Sequence, residues 1–538
     1  MHTFSQLLIR FALVYAAFCI ASVAHAQMAG PALTVDVAAD RHPISSDIYG
    51  MAYPDAALAT EIRLPMNRLG GDATTRYNWK IDSSNVGADW FFIAGSDNPQ
   101  PTPSGGPDAV VAQSKSIGGK ALLTVPIIDF INSATTTDCS FPVSLFGPQQ
   151  QTNPYVHPII NGEQTDAGNG LTPDGQPIQL TPQQILRTNL PNTPDFQRGW
   201  IEHLVKKFGT TAQGGVGVYE LDNEPGGWNN THRDVHPGLT GHDELVSRSI
   251  AYAAMIKSVD PSALVDGPGD FVMHYQNDGK PGDGSKEHGG LGQASYYLQQ
   301  MRSYEKQHGT RLLDYFDEHY YPMDQDNQTA DTTLECTRSL WDPAYIEQNW
   351  YGKSFGAKEI IPKFHRWVDQ YYPGTKIAIS EYGCGNDKTL IGALAEADML
   401  GIFARERVDL ACLFGPPKAN EPIANAFRIY LNYDGHGSRF GDVWIKSASE
   451  DQGRLSIYGA QRSSDHTLTL IVINKSHDDL TSNLSLAHFD PAPAAKVFRY
   501  SSAALDAVIP QADQPVTAAG FSATFPAQSI TLFMIPPR

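Results

Sequence analysis

The sequence predicts an α/β fold, a (β/α)8 TIM-like barrel with an attached antiparallel β-sandwich domain. Three observations predict it. Strand-like and helix-like runs alternate through the middle of the 538 residues, the pattern of a parallel sheet covered by helices. Several of those strands hold their polar and aromatic residues at the C-terminal end, where such barrels place their chemistry. From about residue 425 the chain changes to short β-branched runs separated by turn residues, as in antiparallel sandwiches. The competitor is an open doubly wound sheet. It would carry a glycine-rich phosphate loop after its first strand, and the sequence has no convincing one.

Taken in order, residues 1–26 read as a targeting segment. Arg10 precedes an apolar run from Phe11 to Val23, and Ala24-His25-Ala26 is a small-x-small cleavage pattern before Gln27. The run is short for a membrane span, and no later segment is long and apolar enough for one. The mature chain is therefore expected to be secreted or periplasmic, with no membrane partner after cleavage, and monomeric. Residues 27–45 contain "PALTVDVAADRHPI", a strand expected to cross over and pair with the C-terminal sheet. The barrel is assigned to 46–424. In it, "KALLTVPII" (120–128), "VYELDNE" (218–224), "ALVDGPG" (263–269), "LLDYFDEHYYP" (312–322), "KIAISEYGCG" (376–385) and "VDLACLFGPP" (408–417) read as strands. Helices are expected near 193–209, 243–259, 291–308, 355–371 and 389–406. The first of these has Thr193 at its N-cap, Pro194 in its first turn and Gly209 at its stop. Residues 130–192, rich in Gly, Pro, Asn and Gln, form a long loop placed to wall a cleft. The sandwich is assigned to 425–538.

With 39 Lys and Arg against 58 Asp and Glu, the formal charge is −19. Such a chain has no general attraction for nucleic acid or anionic lipid. A neutral partner fits better, and a polysaccharide or oligosaccharide is the expected one. Four cysteines follow the cleavage point, Cys139, Cys336, Cys384 and Cys412. Their spacing matches no zinc pattern, and their three possible full pairings stay open.

Two strands end in an acid: "YELDNEP" in Glu224 and "IAISEYG" in Glu381. A barrel brings both tips to one face, and paired carboxyls there suit glycosidic cleavage, one protonated and one ionised. Strict alternation points Asn223 to the opposite face from Glu224, unless a twist or bulge turns the tip. At the tip of "DEHYYP", His319 and Tyr321 share a face; Tyr321 is placed to donate to the nucleophile and His319 to orient a catalytic group or sugar hydroxyl. Arg68 is placed to fix a carboxylate by charge-assisted hydrogen bonds. Trp79, Trp90, Trp228, Trp341 and Trp350 lie in loops or at strand ends and are candidate stacking platforms for sugar rings.

On "RLGGDATTRYNW", "DNEPGGWNNTHRDVHP", "LLDYFDEHYYP", "PGTKIAISEYGCGND" and "GALAEADMLGIFARERVDLA", in that order, the chain resembles glycoside hydrolase family 44. Its members are bacterial endo-β-1,4-glucanases and xyloglucanases. The resemblance implies a barrel with a β-sandwich and a retaining mechanism. It puts the acid/base on Glu224 and the nucleophile on Glu381. No cofactor is implied for catalysis; a structural calcium ion is, without placing its ligands. Three positions depart from the pattern: Asp72 where an Asn commonly follows the paired glycines, "LFGPP" where an aromatic pair often ends the last barrel strand, and Cys384 after the nucleophile. The function expected is that of a secreted endo-β-1,4-glucanase acting on cellulose-type glucans, xyloglucan or both. The rivals are an exo-acting glycosidase such as an arabinofuranosidase, and a non-catalytic glycan-binding protein.

Overall fold

The computed structural model describes residues 28–96, 98–154, 165–271, 285–322 and 329–538. The expected leader at 1–26 lies outside them. Eight parallel strands close a barrel: β1 Gly50–Ala52, β2 Met66–Leu69, β3 Lys120–Val125, β4 Val218–Leu221, β5 Val265–Phe271, β6 Tyr315–His319, β7 Lys376–Tyr382 and β8 Leu410–Leu413. β8 pairs back onto β1 through Cys412 opposite Gly50. The two short strands β1 and β2 complete a ring whose other six were legible as apolar runs.

Strand alternation sorts the interior into layers. Met66, Leu122, Val218, Tyr315 and Ala378 fill one apolar layer. Two residues further along the same strands stand Arg68, Thr124, Glu220, Asp317 and Ser380, all buried. The interior thus changes from apolar to charged in a single step toward the C-terminal ends. Outward residues such as Tyr219, Leu221, Ile377 and Ile379 pack under the helices.

The sandwich is built from both chain ends. Leu33–Asp36 lies parallel to Leu480–Ala487 and antiparallel to Lys446–Ser449. Its Leu33 and Val35 enter the sandwich core with Leu484 and Phe533. The facing seven-stranded sheet runs from Ala504–Pro515 at one edge to His42–Pro43 at the other. Helix Ala424–Leu431 still packs against helices Leu390–Arg405 and Ala56–Ile62, so the barrel layer runs past 424.

Helix Leu390–Arg405 is the common wall of the two parts, and it buries two acids with opposite consequences. Asp398 accepts hydrogen bonds from Thr337 (2.7 Å), Ser456 (2.6 Å), Tyr458 (2.7 Å) and Lys475 Nζ (2.8 Å). Burial alone would raise its pKa, but Lys475 and the hydroxyls outweigh it and hold the carboxyl below its usual range. Gly401, one turn on, leaves room for the Tyr458 ring, which a Cβ there would meet at 2.4 Å. Glu396 accepts from Tyr382 (2.7 Å), and its other oxygen has no hydrogen-bond partner. Burial therefore pushes Glu396 up to about 8.

Two outcomes follow from this wall. Asp398→Ala strands the Lys475 ammonium in the interface and is expected to cost about 3–5 kcal/mol, read as a lowered melting temperature; an unchanged melt would show that the contact does not join the parts. A carboxyl raised in the folded state contributes stability that is fullest below its unfolded pKa and is lost as pH rises to the folded value. For Glu396 that window runs from the ordinary carboxylate range to about pH 8. Glu396→Gln keeps an acceptor for Tyr382, so its melting temperature should fall less than the parent's between pH 5 and 8. Equal slopes in the two proteins would overturn this.

Candidate active site

The tip of β4 is bent out of strand geometry at two residues. Asp222 (φ 69°) and Glu224 (φ 43°) are both left-handed, a conformation that costs a non-glycine residue of order 1–3 kcal/mol and needs support. The support is present. The Asp222 carboxylate accepts from the backbone N–H groups of Ile127, Ile128 and Asn223. The Glu224 N–H donates to Gly269 O at 2.8 Å. Trp228 Nε1–H donates to Asn223 O at 3.2 Å. The bend turns Asn223 and Glu224 to the same cleft. β7 reaches the same result by a register shift between Ile379 and Tyr382, so that Ser380 and Glu381 both face inward.

Arg68 ties these tips together from the barrel interior. Its guanidinium donates to Glu220 Oε2 (3.1 Å) and Oε1 (2.7 Å), to Glu381 Oε2 (2.6 Å) and to Asn223 Oδ1 (3.0 Å). Burial opposes its charge, but Glu220 and Glu381 more than offset this and raise its pKa well above the usual value. Burial likewise opposes ionisation of Glu220, yet Arg68 and His319 hold it at about 2. Gly70 is required here, because a Cβ would come within 2.2 Å of the guanidinium carbon.

His319, the last residue of β6, spans the two acids. Its Nδ1 is 3.0 Å from Glu224 Oε1 and 3.9 Å from Glu381 Oε2, and its Nε2 contacts Ser380 Oγ at 3.2 Å. Burial disfavours the charged imidazolium, but Glu381, Glu220 and Glu224 raise its pKa well above normal. Tyr321 donates its O–H to Glu381 Oε1 at 2.8 Å. Burial and the Glu381 charge keep that phenol protonated. Oxygens of Glu224 and Glu381 and a nitrogen of His319 lie within 4.8 Å of one another. The two acids differ in access: the Glu224 side chain is 23 % exposed and that of Glu381 8 %.

Arg68, Asn223, Glu224, His319, Tyr321 and Glu381 thus meet at one mouth. Three of the tryptophans, Trp228, Trp79 and Trp341, do not. Trp228 is buried beneath the β4 tip as a backbone prop. Trp79 packs on helix Pro194–Phe208, its N–H donating to Phe196 O. Trp341 lies under the guanidinium of Arg405, at the C-terminal end of helix Leu390–Arg405 and so away from the strand tips. Trp90 is held in the loop wall by Asn153. The side chain of Trp350 lies outside what the structure describes. The exposed aromatics near the mouth are instead Tyr53, which donates to Gly70 O, and Phe414, whose ring lies under Gly71. Sequence reading passed over them because each is a single aromatic beside a glycine or proline turn. Asp72 was also missed as a site residue. It accepts from Asn223 Nδ2 at 2.8 Å, and burial, Asp89, Glu224 and Glu381 together push its carboxyl up.

Two groups of metal-ligating side chains occur among the described residues: Glu220, Asp317 and His319, and Glu224, His319 and Glu381. Both include an imidazole and stand against Arg68. Calcium takes about six to eight oxygen ligands, so neither group fits a structural calcium ion.

The comparisons with known proteins agree with this geometry. The model of glycoside hydrolase family 44 matches residues 83–324. Endoglucanase A of Paenibacillus lautus is 30% identical over 472 residues, covering 83% of this chain and 64% of its own; this chain thus spans just under two thirds of that relative. The crystal structure of CelM2, described as a bifunctional glucanase-xylanase from a metagenome library, superposes with a TM-score of 0.88 at 34% identity, over 95% of this chain and 100% of that one. A xyloglucanase of family 44 from Paenibacillus polymyxa gives a TM-score of 0.78 at 27% identity, over 94% and 99% of the two chains. A shared barrel and sandwich along nearly the whole length, and a family match across β4, β5 and β6, place this chain in glycoside hydrolase family 44.

Proposed function

We propose that this chain is an exported, retaining endo-β-1,4-glucanase that hydrolyses internal β-1,4-glucosidic bonds of cellulose-type glucans or xyloglucan. The observation that carries the reading is the unequal setting of two carboxyls at one barrel mouth. Both oxygens of Glu381 are held, one by Arg68 and one by Tyr321. That is the setting of a fixed, ionised nucleophile. Glu224 is more accessible and takes one hydrogen-bond contact from His319, at Oε1. Its Oε2 is left to carry a proton toward the leaving oxygen.

In this reading Glu381 attacks the anomeric carbon while Glu224 gives its proton to the departing glycosidic oxygen. The bond to that oxygen breaks and a glycosyl–Glu381 ester forms. Glu224, now ionised, takes a proton from water, and the hydroxide displaces Glu381 with net retention. The facing oxygens lie no more than 4.8 Å apart, which supports the close carboxyl pairing, about 5–5.5 Å between groups, that direct attack needs. Export rests on the apolar run before Ala24-His25-Ala26; among the described residues no helix is long and apolar enough to cross a membrane. The activities named for the relatives, glucanase, xylanase and xyloglucanase, define the substrate panel.

That panel is carboxymethylcellulose, xyloglucan, xylan and an aryl arabinofuranoside. Rapid loss of viscosity on a β-1,4-glucan is expected. Release of arabinose from the aryl substrate, with polymer viscosity intact, would favour the exo-acting rival. The roles separate by variant: Glu381→Gln should lose activity on every substrate by several orders of magnitude. Glu224→Ala should lose about 10²–10⁴-fold on polymer yet still react with an activated aryl cello-oligosaccharide, and azide should then yield the β-glycosyl azide. Rescue of Glu381→Ala rather than Glu224→Ala to a β-product would exchange the two roles. Asp72 acts in this scheme as a positioning residue for the Asn223 amide. Asp72→Ala should lower kcat/KM by about ten-fold or more, while Asp72→Asn, which keeps an acceptor oxygen, recovers most of it; equal losses would count against positioning.

A further inference from the structure

Beside the nucleophile strand, Cys336 Sγ and Cys384 Sγ stand 2.8 Å apart, both buried. Cys336 ends helix Ala330–Cys336, and its thiol also reaches Thr333 O at 3.0 Å. Cys384 lies in the loop directly after β7, three residues beyond Glu381. The other two thiols among the described residues are elsewhere: Cys412 is inside the barrel with Leu122 and Leu410, and Cys139, in the long loop, packs with Val86 and Ile93. Of the three full pairings the sequence left open, contact favours the one that contains 336–384, and only that half of it.

We propose that Cys336 and Cys384 are a covalent cross-linking site that closes to a disulfide when the chain meets a thiol oxidant. The oxidant is a disulfide, either oxidised glutathione or the redox-active pair of an oxidoreductase. One thiolate attacks that disulfide and forms a mixed disulfide. The second thiolate attacks the protein sulfur and expels the remaining thiol. Two S–H bonds are lost, one S–S bond forms, and the oxidant is reduced to two thiols. Burial and the adjacent Cys336 raise the Cys384 pKa well above normal, so exchange belongs to the incompletely packed chain rather than the finished one. Met399 Sδ, 3.3 Å from Cys384 Sγ, makes a third sulfur and raises the alternative of a soft metal ion. Sulfurs that share a metal at about 2.3 Å each stand well apart from one another, and the contact here is closer than that.

The cross-link closes a span of 48 residues around the nucleophile. Cys336 O accepts from Tyr320 O–H at 2.8 Å, and Tyr320 N–H donates to Glu381 O at 2.9 Å. A bond between the sulfurs therefore anchors the segments on both sides of Glu381 to one helix end.

The test unfolds the purified protein in denaturant with reductant, refolds it in glutathione buffers of graded redox ratio, and quenches by alkylation in denaturant before digestion. Under oxidising ratios the peptides of Cys336 and Cys384 should appear joined, lighter by two hydrogens than the separate thiols, with Cys139 and Cys412 alkylated. A reductant should then lower the melting temperature by about 5 °C in the parent and leave that of Cys384→Ser unchanged. Separate alkylation of both cysteines at every ratio, a stable glutathione adduct on either, or a metal retained in the native mass would each overturn the proposal. If Cys384→Ser fails to fold, Cys336→Ala supplies the same comparison.

Discussion

The Arg68 guanidinium is the constraint on which the site depends. A fully buried cation must be paired, and the loss of one partner of such a pair costs about 3–5 kcal/mol. Here the partners come from three barrel strands and one strand tip: Glu220 from β4, Glu381 from β7, Asn223 beyond β4, and the nearby His319 from β6. Their geometry is fixed because the barrel is closed and its apolar layer is packed one step below. The same cation that orients Glu381 also keeps Glu220 ionised, and Glu220 with Ser380 secures the imidazole side of the cleft. One charge placed two residues above Met66 holds Glu381 directly and stands beside the imidazole that contacts Glu224.

Much of this was legible in the sequence because barrel strands advertise themselves. Runs such as "KALLTV" and "KIAIS" are apolar on both faces, as strands covered by helices must be. Polar residues at their C-terminal ends then mark the mouth. β1 and β2 were less plain: Gly50–Ala52 is three residues long, and Arg68 interrupts the second. The layer two positions above the apolar one follows from period two. Glu220 stood in that register, as an acid inside a strand, and was overlooked beside the more conspicuous Glu224.

The parts that were not legible are those where alternation fails. A strict period sets Ser380 and Glu381 on opposite faces, and likewise Asn223 and Glu224. A register shift in one strand and two left-handed residues in the other override it, and the tertiary contacts that hold those irregularities come from residues far away in sequence. The tryptophans were hard to place for a related reason. An indole in a polar loop reads the same whether it props a backbone, as Trp228 does, or faces solvent, and only packing distinguishes the two.

The placement of Leu33–Asp36 between Leu480–Ala487 and Lys446–Ser449 has a consequence for how the chain is made. The sandwich core lacks an internal strand until segments some 450 positions apart have met, and the barrel ring likewise closes only when β8 reaches β1. Contacts of such long reach form late and slowly. A ribosome delivers the first of these strands long before its partners exist, so the emerging N-terminal segment has no native neighbour and must be kept from pairing elsewhere. The architecture thus delays completion until Leu410–Leu413 and Leu480–Ala487 have been made, and a chain whose barrel and sandwich are still open remains threadable through a narrow pore.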